Sequence, residues 1–469
     1  GLVNGEKYYF QISAVDLAGN ESDKASGMGM PVAPGPTPVS GAIEADTTWY
    51  AGASPYILEH PVTIKNKAVL TIEPGTEIRS KGGALVVEGS LLARGDGEHV
   101  ITWDTAEEGK LWGGLVFQNV KEKENILQFN RIRNAVTAIT CRASSPALEA
   151  GELTENDTAI RISGAFSKPR IIKNTLQKNA GAALVITDGA QPTVQDNRIQ
   201  DNGREGVLIQ GAAPLISRNL ITQNRMNGLT VQNSQARVTE NSILDNRPFN
   251  MVGQMTGEPV QALDNWWGTG KGLEVLATIR GRIHIQSILN GPSPGGKPVA
   301  LPILSATLGG PLQTDGYLTL ANSPYRVARD LTVDNGATLY IEPGVTVQYD
   351  QNTAIIVADG GIVARGTPEG PIVFTASGAS PTPGFYASAV RFTKSTKMNS
   401  AMVHAIVKYA DIALDVHFGA PEISYCHIGQ NAQAGVYCRN DAAPTLSYNT
   451  LTGNKGEGAI TCVGNARPK

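Results

Sequence analysis

The chain has 469 residues, a net charge of −3, and 17% charged residues, a smaller share than the roughly 25% typical of soluble domains. Glycine (52) and proline (27) are frequent without a collagen period, aromatic residues make up 6%, and no apolar run approaches the ~18 residues of a membrane-spanning helix. These numbers exclude a coiled coil, a charged disordered tail and a membrane span in this segment, and they predict no nucleic-acid partner because phosphate binding needs a basic surface. The composition predicts a turn-rich, β-rich protein.

Residues 1–30 have the pattern of the last strands of a β-sandwich. Apolar and polar residues alternate over positions 8–14, as in a half-buried strand, and a turn cluster follows. This stretch resembles the C-terminal part of a fibronectin type III domain, with Leu2 and Tyr8 at the spacing of its tyrosine corner. The resemblance implies a partial domain within a longer polypeptide. The Pro/Gly-rich residues 31–44 are predicted to be a linker.

The middle of the chain contains an internal repeat with a period of 22 or 23 residues. Paired asparagines recur at this interval, and short apolar strands such as 207–209 and 229–231 lie between the pairs. The period predicts a solenoid in which each repeat is one coil and successive coils stack roughly 4.8 Å apart as parallel strands. A leucine-rich repeat is disfavoured because its Leu-x-x-Leu-x-Leu spacing is absent. The first asparagines of the pairs are Asn174, Asn197, Asn219 and Asn241, and the second are Asn179, Asn202, Asn224 and Asn246.

These asparagines are predicted to form a structural ladder. An asparagine at the corner of each coil can adopt the left-handed backbone conformation and can hydrogen-bond to the asparagines of the coils above and below. His404 aligns with Cys426 and Asn449 at the corresponding corner of later coils. We therefore expect His404 to replace an amide of the ladder rather than to bind a ligand.

Two stretches of the chain begin with the same motifs, which predicts two tandem modules. Leu70-Thr-Ile-Glu-Pro-Gly75 matches Leu339-Tyr-Ile-Glu-Pro-Gly344, and a Ser-Pro-Tyr sequence precedes each of them. The predicted modules are residues 45–290 and 306–469, separated by a Pro/Gly linker at 291–305. We expect the second module to be truncated, because an uncapped solenoid end exposes apolar interior and unpaired strand edges.

Further motifs make the resemblance specific. Lys110-Leu-Trp-Gly-Gly-Leu-Val-Phe117 and Asp264-Asn-Trp-Trp-Gly-Thr269, together with the asparagine coils, resemble the right-handed parallel β-helix surface proteins over residues 45–469. The resemblance implies an all-β, right-handed parallel β-helix that is secreted or displayed on a microbial cell surface. It implies no particular activity, because this fold hosts polysaccharide lyases, hydrolases, epimerases, adhesins and non-catalytic spacers.

The outward positions of the strands are where a catalytic site would lie. Cleavage of a polysaccharide needs paired carboxylates or a metal-assisted base. In the first module these positions carry no carboxylate: they are Arg161/Ser163, Val185/Thr187, Leu208/Gln210 and Thr230/Gln232. In the second module Asp415 and His417 are predicted to face outward on one strand, with Tyr437 and Arg439 beside them one coil later. No catalytic residue is assigned: these four are candidates only, and the favoured interpretation is a solvated polar face with an incidental ion pair.

The cysteines predict neither a metal site nor a cofactor. Cys141, Cys426, Cys438 and Cys462 contain no Cys-x-x-Cys pair. Cys438 and Cys462 should stack about 4.8 Å apart, within disulfide range, but parallel neighbours seldom have the required dihedral angle, so buried thiols are favoured.

The sequence favours a non-catalytic extracellular or cell-surface scaffold that acts as a rigid stalk, an adhesin or a glycan-binding module. One alternative is a polysaccharide lyase or glycoside hydrolase that uses an outward face of the β-helix. A second is a subunit of an extracellular filament or larger surface assembly, in which neighbouring copies cover the open edges. The expected partners are an extracellular polysaccharide and other copies or subunits of such an assembly.

Overall fold

The computed structural model describes residues 2–120, 124–394, 400–456 and 458–469, and these residues are almost entirely β-strands and turns. Their one α-helix is Gly272–Ala277, and two short 3-10 helices lie at Ala51–Ala53 and Leu320–Asn322. The chain divides into two compact units. The first comprises Gly1–Arg280 with Leu289–Pro298, and the second comprises Gly281–Ile288 with Val299–Lys469.

The N-terminal part of the first unit is a pair of antiparallel strands. Tyr8–Ile12 pairs with Ala25–Gly29. The Tyr8 hydroxyl accepts a hydrogen bond from the Val3 N–H at 2.8 Å, and a tyrosine corner makes a bond of this kind to the backbone a few residues upstream. The assignment of this segment to a fibronectin type III domain stays a prediction.

The rest of the first unit is a parallel solenoid, and each coil contributes three strands. We call the first of them the long strand, because it is the longest in most coils, and the two that follow it the short strands. The long strands form a ladder that starts from Thr37–Ile43 and Tyr56–Ile64: Leu85–Val87, Leu115–Gln118, Thr137–Arg142, Thr158–Ser163, Leu184–Thr187, Val207–Gln210, Leu229–Gln232 and Met251–Gln254. The first short strands are Thr47–Trp49, Val69–Ile72, Ser90–Arg94, Ile126–Gln128, Ala147–Glu149, Arg170–Ile172, Thr193–Gln195, Leu215–Ser217, Arg237–Thr239 and Val260–Gln261. The second short strands are Glu77–Ser80, Ile101–Thr105, Asn130–Arg133, Glu152–Thr154, Thr175–Gln177, Arg198–Gln200, Leu220–Thr222 and Ser242–Leu244.

The second unit repeats this plan. After Thr307–Leu312 and Tyr325–Val333, its long strands are Ala354–Val357, Ser388–Phe392, Ile412–Val416, Ala434–Cys438 and Gly458–Cys462. Its first short strands are Gly316–Leu318, Thr338–Ile341, Gly361–Arg365, Ala401–Val403, Glu422–Ser424 and Thr445–Ser447. Its second short strands are Thr346–Tyr349, Ile372–Ala376, Ala405–Lys408, His427–Gly429 and Thr450–Thr452. Four further strands are Ile279–Gly281, Ile283–His284, Ser287–Leu289 and Pro298–Ala300.

The core of each unit is the interior of its coils. In the strand Thr158–Ser163, Ile160 and Ile162 are fully buried, whereas Arg161 between them is exposed. The pairing is in register, so Ile160 lies beside Leu184, which is also fully buried. Equivalent positions of successive coils therefore form continuous apolar columns. Burial of these columns drives the stacking.

Two asparagine ladders run through the first unit along the corners of the coils. The Asn197 side-chain N–H donates to Asn219 Oδ1 at 2.9 Å, and Asn219 donates in turn to Asn241 at 2.9 Å. The second ladder repeats this pattern from Asn179 to Asn202 at 2.9 Å. The ladders extend beyond the eight residues of the repeat, because Asn156, Asn250 and Asn265 also take part.

The prediction that these asparagines adopt the left-handed conformation is wrong, because the residue directly before each of them adopts it instead. Positive φ angles occur at the residues directly before them, such as Lys173 (57°) and Asp196 (56°). The cause is geometric: the asparagine amide must point inward to reach the carbonyl groups of the adjacent coil, whereas the preceding residue makes the bend and its side chain faces outward. Residue types at the bend are therefore variable.

The motifs shared by the two units make the same hydrogen bonds in both. The Tyr56 hydroxyl accepts from the Tyr50 N–H, and the Tyr325 hydroxyl accepts from the Thr319 N–H, each at 2.8 Å. The glutamate of each Glu-Pro-Gly sequence accepts from the first residue of a 3-10 helix. Glu73 accepts from Ala51 at 3.1 Å, and Glu342 accepts from Leu320 at 2.7 Å.

We predict that Asn219→Ala destabilises the first unit strongly. The substitution removes an amide that is almost fully buried and that bonds to two carbonyl groups and to both neighbouring asparagines. We expect the free energy of unfolding, measured by urea titration, to fall by about 3 kcal/mol, because buried donors and acceptors lose their partners. The control is Gln200→Ala, which removes a partly exposed amide bonded to Gln177. Equal losses for the two variants would contradict a special role for the buried ladder.

Glu342 should make the second unit less stable as the pH rises. Burial raises the pKa of its carboxyl group from 4.5 to about 7, against the opposing hydrogen bond from Leu320. Between these two values the folded chain keeps a proton that the unfolded chain releases. The free energy of unfolding should therefore decrease from pH 4.5 to 7, by at most about 3 kcal/mol. Glu342→Gln should flatten this dependence of the melting temperature, whereas Glu369→Gln, at an exposed position, should keep it. An unchanged slope in Glu342→Gln would disprove the assignment.

Candidate functional site

The candidate site lies on the outward side of the long-strand ladder of the second unit. Asp415 is in the strand Ile412–Val416, where the neighbouring Leu414 and Val416 are fully buried in the interior. Register pairing places Asp415 between Arg391 of the preceding coil and Tyr437 of the following coil. Strand alternation thus fixes these three side chains side by side on one face.

The carboxylate of Asp415 is the centre of a compact ionic cluster. Its Oδ2 atom lies 3.1 Å from Arg391 Nε and 3.1 Å from His417 Nε2, and its Oδ1 atom lies 3.2 Å from Arg439 Nη2. The Arg439 guanidinium lies over the ring of Tyr437, 4.4 Å from its centroid. We call these five residues the Asp415 cluster.

Asp415 is more deeply buried than the side chains that contact it. The carboxylate side chain is only 4% exposed, although it faces outward, because the partners cover it. The side chains of Arg391 (31%), His417 (26%) and Arg439 (34%) remain partly accessible. The cluster thus presents two guanidinium groups to solvent around one neutralising carboxylate, which is an arrangement that favours anions.

The four residues singled out in the sequence, Asp415, His417, Tyr437 and Arg439, lie together in the structure. Sequence reasoning missed Arg391, which completes the cluster. The signal that could have identified it is the period, since Arg391 precedes Asp415 by one coil in the same register. The functional role of all five residues stays a prediction.

The expectation for His404 is wrong. His404 has a positive φ of 48° and stacks on Tyr425 (5.0 Å between centroids), which stacks in turn on Tyr448 (4.9 Å). It therefore occupies the bend position before the asparagine position, and its equivalents are Tyr425 and Tyr448, not Cys426 and Asn449. The result is a partly exposed aromatic ladder rather than an amide ladder.

Cys438 and Cys462 are register partners, as the period predicted. All four cysteines are free thiols, and only Cys462 is exposed, so the expectation of buried thiols is correct for Cys438 and wrong for Cys462. Burial raises the pKa of Cys426 to about 11 and, together with the adjacent Cys462, raises that of Cys438 to about 12. Burial also raises the pKa of Cys141.

The described part of the chain contains neither a metal-binding cluster nor a membrane-spanning helix. No group of three or more His, Cys, Asp or Glu side chains in residues 2–120, 124–394, 400–456 and 458–469 is arranged to hold a metal ion. In the same ranges, no helix has the length and apolar character needed to cross a bilayer.

Two family models match the chain. Residues 113–266 match the right handed beta helix region, and residues 311–419 match the pectate-lyase like beta helix domain. The chain is a right-handed β-helix repeat protein. The second match includes Arg391, Asp415 and His417 of the Asp415 cluster.

Individual proteins match this chain over only a short stretch or at low sequence identity. Protein bark beetle of Drosophila melanogaster is 31% identical over 129 residues, which are 24% of this chain and only 4% of that protein. The periplasmic alginate epimerase AlgG aligns over 90% of this chain and 85% of its own, at 9% identity and a TM-score of 0.30. The catalytic domain of an α-1,3-glucanase aligns over 92% and 63%, at 9% identity and a TM-score of 0.20. Similarity at these TM-scores carries no inference about function.

We predict that one of the four thiols reacts with a disulfide reagent in the native β-helix. Cys462 is exposed, whereas the three buried thiols have raised pKa values and little reactive thiolate. Titration with Ellman's reagent at pH 8 should give one fast thiol natively and four after denaturation. Cys462→Ser should abolish the fast reaction. Only two thiols after denaturation would reveal a disulfide and would contradict the prediction.

Proposed function

We propose that this β-helix is an extracellular scaffold whose second unit binds an acidic polysaccharide at the Asp415 cluster without cleaving it. The observation that carries the proposal is the ionic geometry of the cluster: two arginines contact one buried carboxylate and leave an excess of positive charge at the surface. Arginine is suited to carboxylate groups because its planar fork can form two parallel hydrogen bonds.

The family resemblance supports the choice of ligand. The family model that covers Arg391, Asp415 and His417 is described as a pectate-lyase like beta helix domain, and pectate is an acidic polysaccharide. A uronate carboxylate of such a chain would meet Arg391 and Arg439. Both side chains are held by Asp415, so little conformational entropy would be lost when a ligand binds.

The state of Asp415 favours binding over catalysis. Glycoside hydrolysis requires two carboxyl groups that flank the scissile bond, and the cluster offers one. Both oxygen atoms of that carboxylate already contact cationic or protonatable groups within 3.2 Å. Asp415 therefore serves to orient the arginines in this proposal, not to attack a sugar or to accept its proton.

The proposed architecture follows the sequence. A fibronectin type III-like segment (1–30), a predicted linker (31–44) in which Thr37–Ile43 is a strand of the first solenoid, and two β-helix modules (45–290 and 306–469, joined by 291–305) would form a cell-surface stalk or adhesin. Assembly with other copies or subunits stays a prediction.

An alternative is a lyase, favoured by one observation. His417 Nε2 lies 3.1 Å from Asp415 Oδ2, so an imidazole lies beside a carboxylate on the same face as two arginines. An imidazole of this kind can act as a general base for proton abstraction, with the arginines stabilising the charge that develops on the substrate carboxylate.

We predict that Arg439→Gln weakens binding to polygalacturonate at least tenfold. The substitution removes one of the two cationic groups but keeps a polar side chain of moderate length. Affinity gel electrophoresis or calorimetry would measure the dissociation constant, which should also rise with salt because the contact is ionic.

The matched control is Arg365→Gln, in the same unit. Arg365 is an exposed arginine that pairs with Glu422 at 2.8 Å, outside the Asp415 cluster. Its removal should leave the affinity unchanged. The proposal fails if the wild type binds neither polygalacturonate nor alginate, or if both variants lose affinity equally. Release of unsaturated or reducing-end products that His417→Ala abolishes would establish the enzymatic alternative instead.

A further inference from the structure

A row of glutamine side chains crosses the long-strand ladder of the first unit. Gln210, Gln232 and Gln254 occupy the same register position on three successive coils. The Gln210 amide donates to Gln232 Oε1 at 2.6 Å, and the Gln232 amide donates to Gln254 Oε1 at 2.8 Å. We call these residues the amide row.

The amide row keeps hydrogen-bonding capacity for a ligand. A primary amide has two N–H donors and an oxygen with two lone pairs, and each link of the row uses one donor and one lone pair. Gln232, in the middle, therefore retains one donor and one acceptor, and the exposed Gln210 and Gln254 retain more. The mutual hydrogen bonds fix the amides in place, which lowers the entropic cost of binding.

The strand positions beside the amide row are uncharged. Two residues earlier on the same strands are Leu208, Thr230 and Val252, of which Leu208 is partly exposed and the other two are buried. Oriented amides with uncharged neighbours offer little to an anion. They suit a ligand that is rich in hydroxyl groups, with Leu208 available to contact its apolar C–H surface.

The row leads into a cleft of about 460 Å³, a size within the usual range for small-ligand sites. Residues 233–237 form one side and residues 255–261 form the other, and each segment directly follows a glutamine of the amide row. Asn233 joins the two sides, because its Oδ1 accepts hydrogen bonds from the Thr256 N–H (2.9 Å) and hydroxyl (3.0 Å).

The lining of the cleft mixes polar and apolar residues and is balanced in charge. Arg237 and Glu258 supply one charge of each sign, and Gln235 and Gln261 add two further amides. An anionic ligand would gain no excess positive charge there, and a purely apolar ligand would leave amides without partners. Sugar hydroxyl groups, which both donate and accept, match this lining.

We propose that the amide row and the adjacent cleft form a second glycan site, which takes an uncharged polysaccharide. The sugar chain lies across successive coils along the amide row, and one sugar residue occupies the cleft. This site is separate from the Asp415 cluster in its residues, its charge and the class of polysaccharide it accepts.

Affinity electrophoresis tests this site with defined probes. Gels containing hydroxyethylcellulose, galactomannan, dextran or soluble starch should include at least one that retards the wild type. Gln232→Ala, in the row, and Gln261→Ala, in the cleft, should each weaken that retardation at least tenfold in dissociation constant. Because Gln261 is exposed and outside the row, its variant keeps the site testable if Gln232→Ala lowers stability.

The control is Gln200→Ala, which breaks the Gln200–Gln177 amide pair (3.0 Å) on the second short-strand ladder of the same unit. It should bind the neutral probe like the wild type. Arg439→Gln should also keep neutral binding, which distinguishes this site from the proposed acidic one. No retardation of the wild type by any neutral probe, or equal loss in Gln200→Ala and the two site variants, would overturn the proposal.

Discussion

In-register stacking of parallel coils is the constraint on which the other features of this protein depend. Each side chain has as its nearest lateral neighbours the residues at the same position one coil before and one coil after. Like residues consequently collect in columns: asparagine beside asparagine, Tyr425 on Tyr448 at 4.9 Å, and Cys438 beside Cys462. An inward column is stable when its members are apolar or complete each other's hydrogen bonds, as the asparagine amides do.

The same constraint governs charge at the surface. Like charges in one column would stand about 4.8 Å apart and repel each other, and several residues on neighbouring coils form pairs of opposite charge instead. Arg218 pairs with Asp196 of the same column at 2.9 Å, and Arg326 pairs at 2.8 Å with Asp350, which lies two residues beyond its register partner Gln348. These carboxylates are 29% and 22% exposed, and such pairs contribute little to stability. Asp415 is 4% exposed and contacts three partners, so its ion pairs are shielded from solvent more than those of Asp196 and Asp350.

The period of the sequence predicts well which residues lie in one column, but it predicts poorly which residue makes the bend at a corner of the coil. It predicted that Asp415 would lie beside Tyr437, and that Cys438 would lie beside Cys462, because a column needs only the spacing. It failed for His404, since the bend residue and the inward residue are adjacent and many side chains tolerate the bend: Lys173, Asp196 and Tyr425 all adopt it. Arg391 was missed because its coil lacks the asparagine pair that anchors the register elsewhere.

The two units of this chain share the motifs that build the coil and differ in the side chains on its outward surface. The Ser-Pro-Tyr and Glu-Pro-Gly motifs make the same hydrogen bonds in both units, so they explain how each solenoid begins and carry no information about a ligand. The outward columns face solvent, and their residues can change without disturbing the interior. The outward columns of the first unit carry the uncharged amides of the amide row, and those of the second unit carry a buried carboxylate between two arginines. Because the backbone beneath them follows one plan, any difference in ligand between the two proposed sites would come from the side chains of single columns.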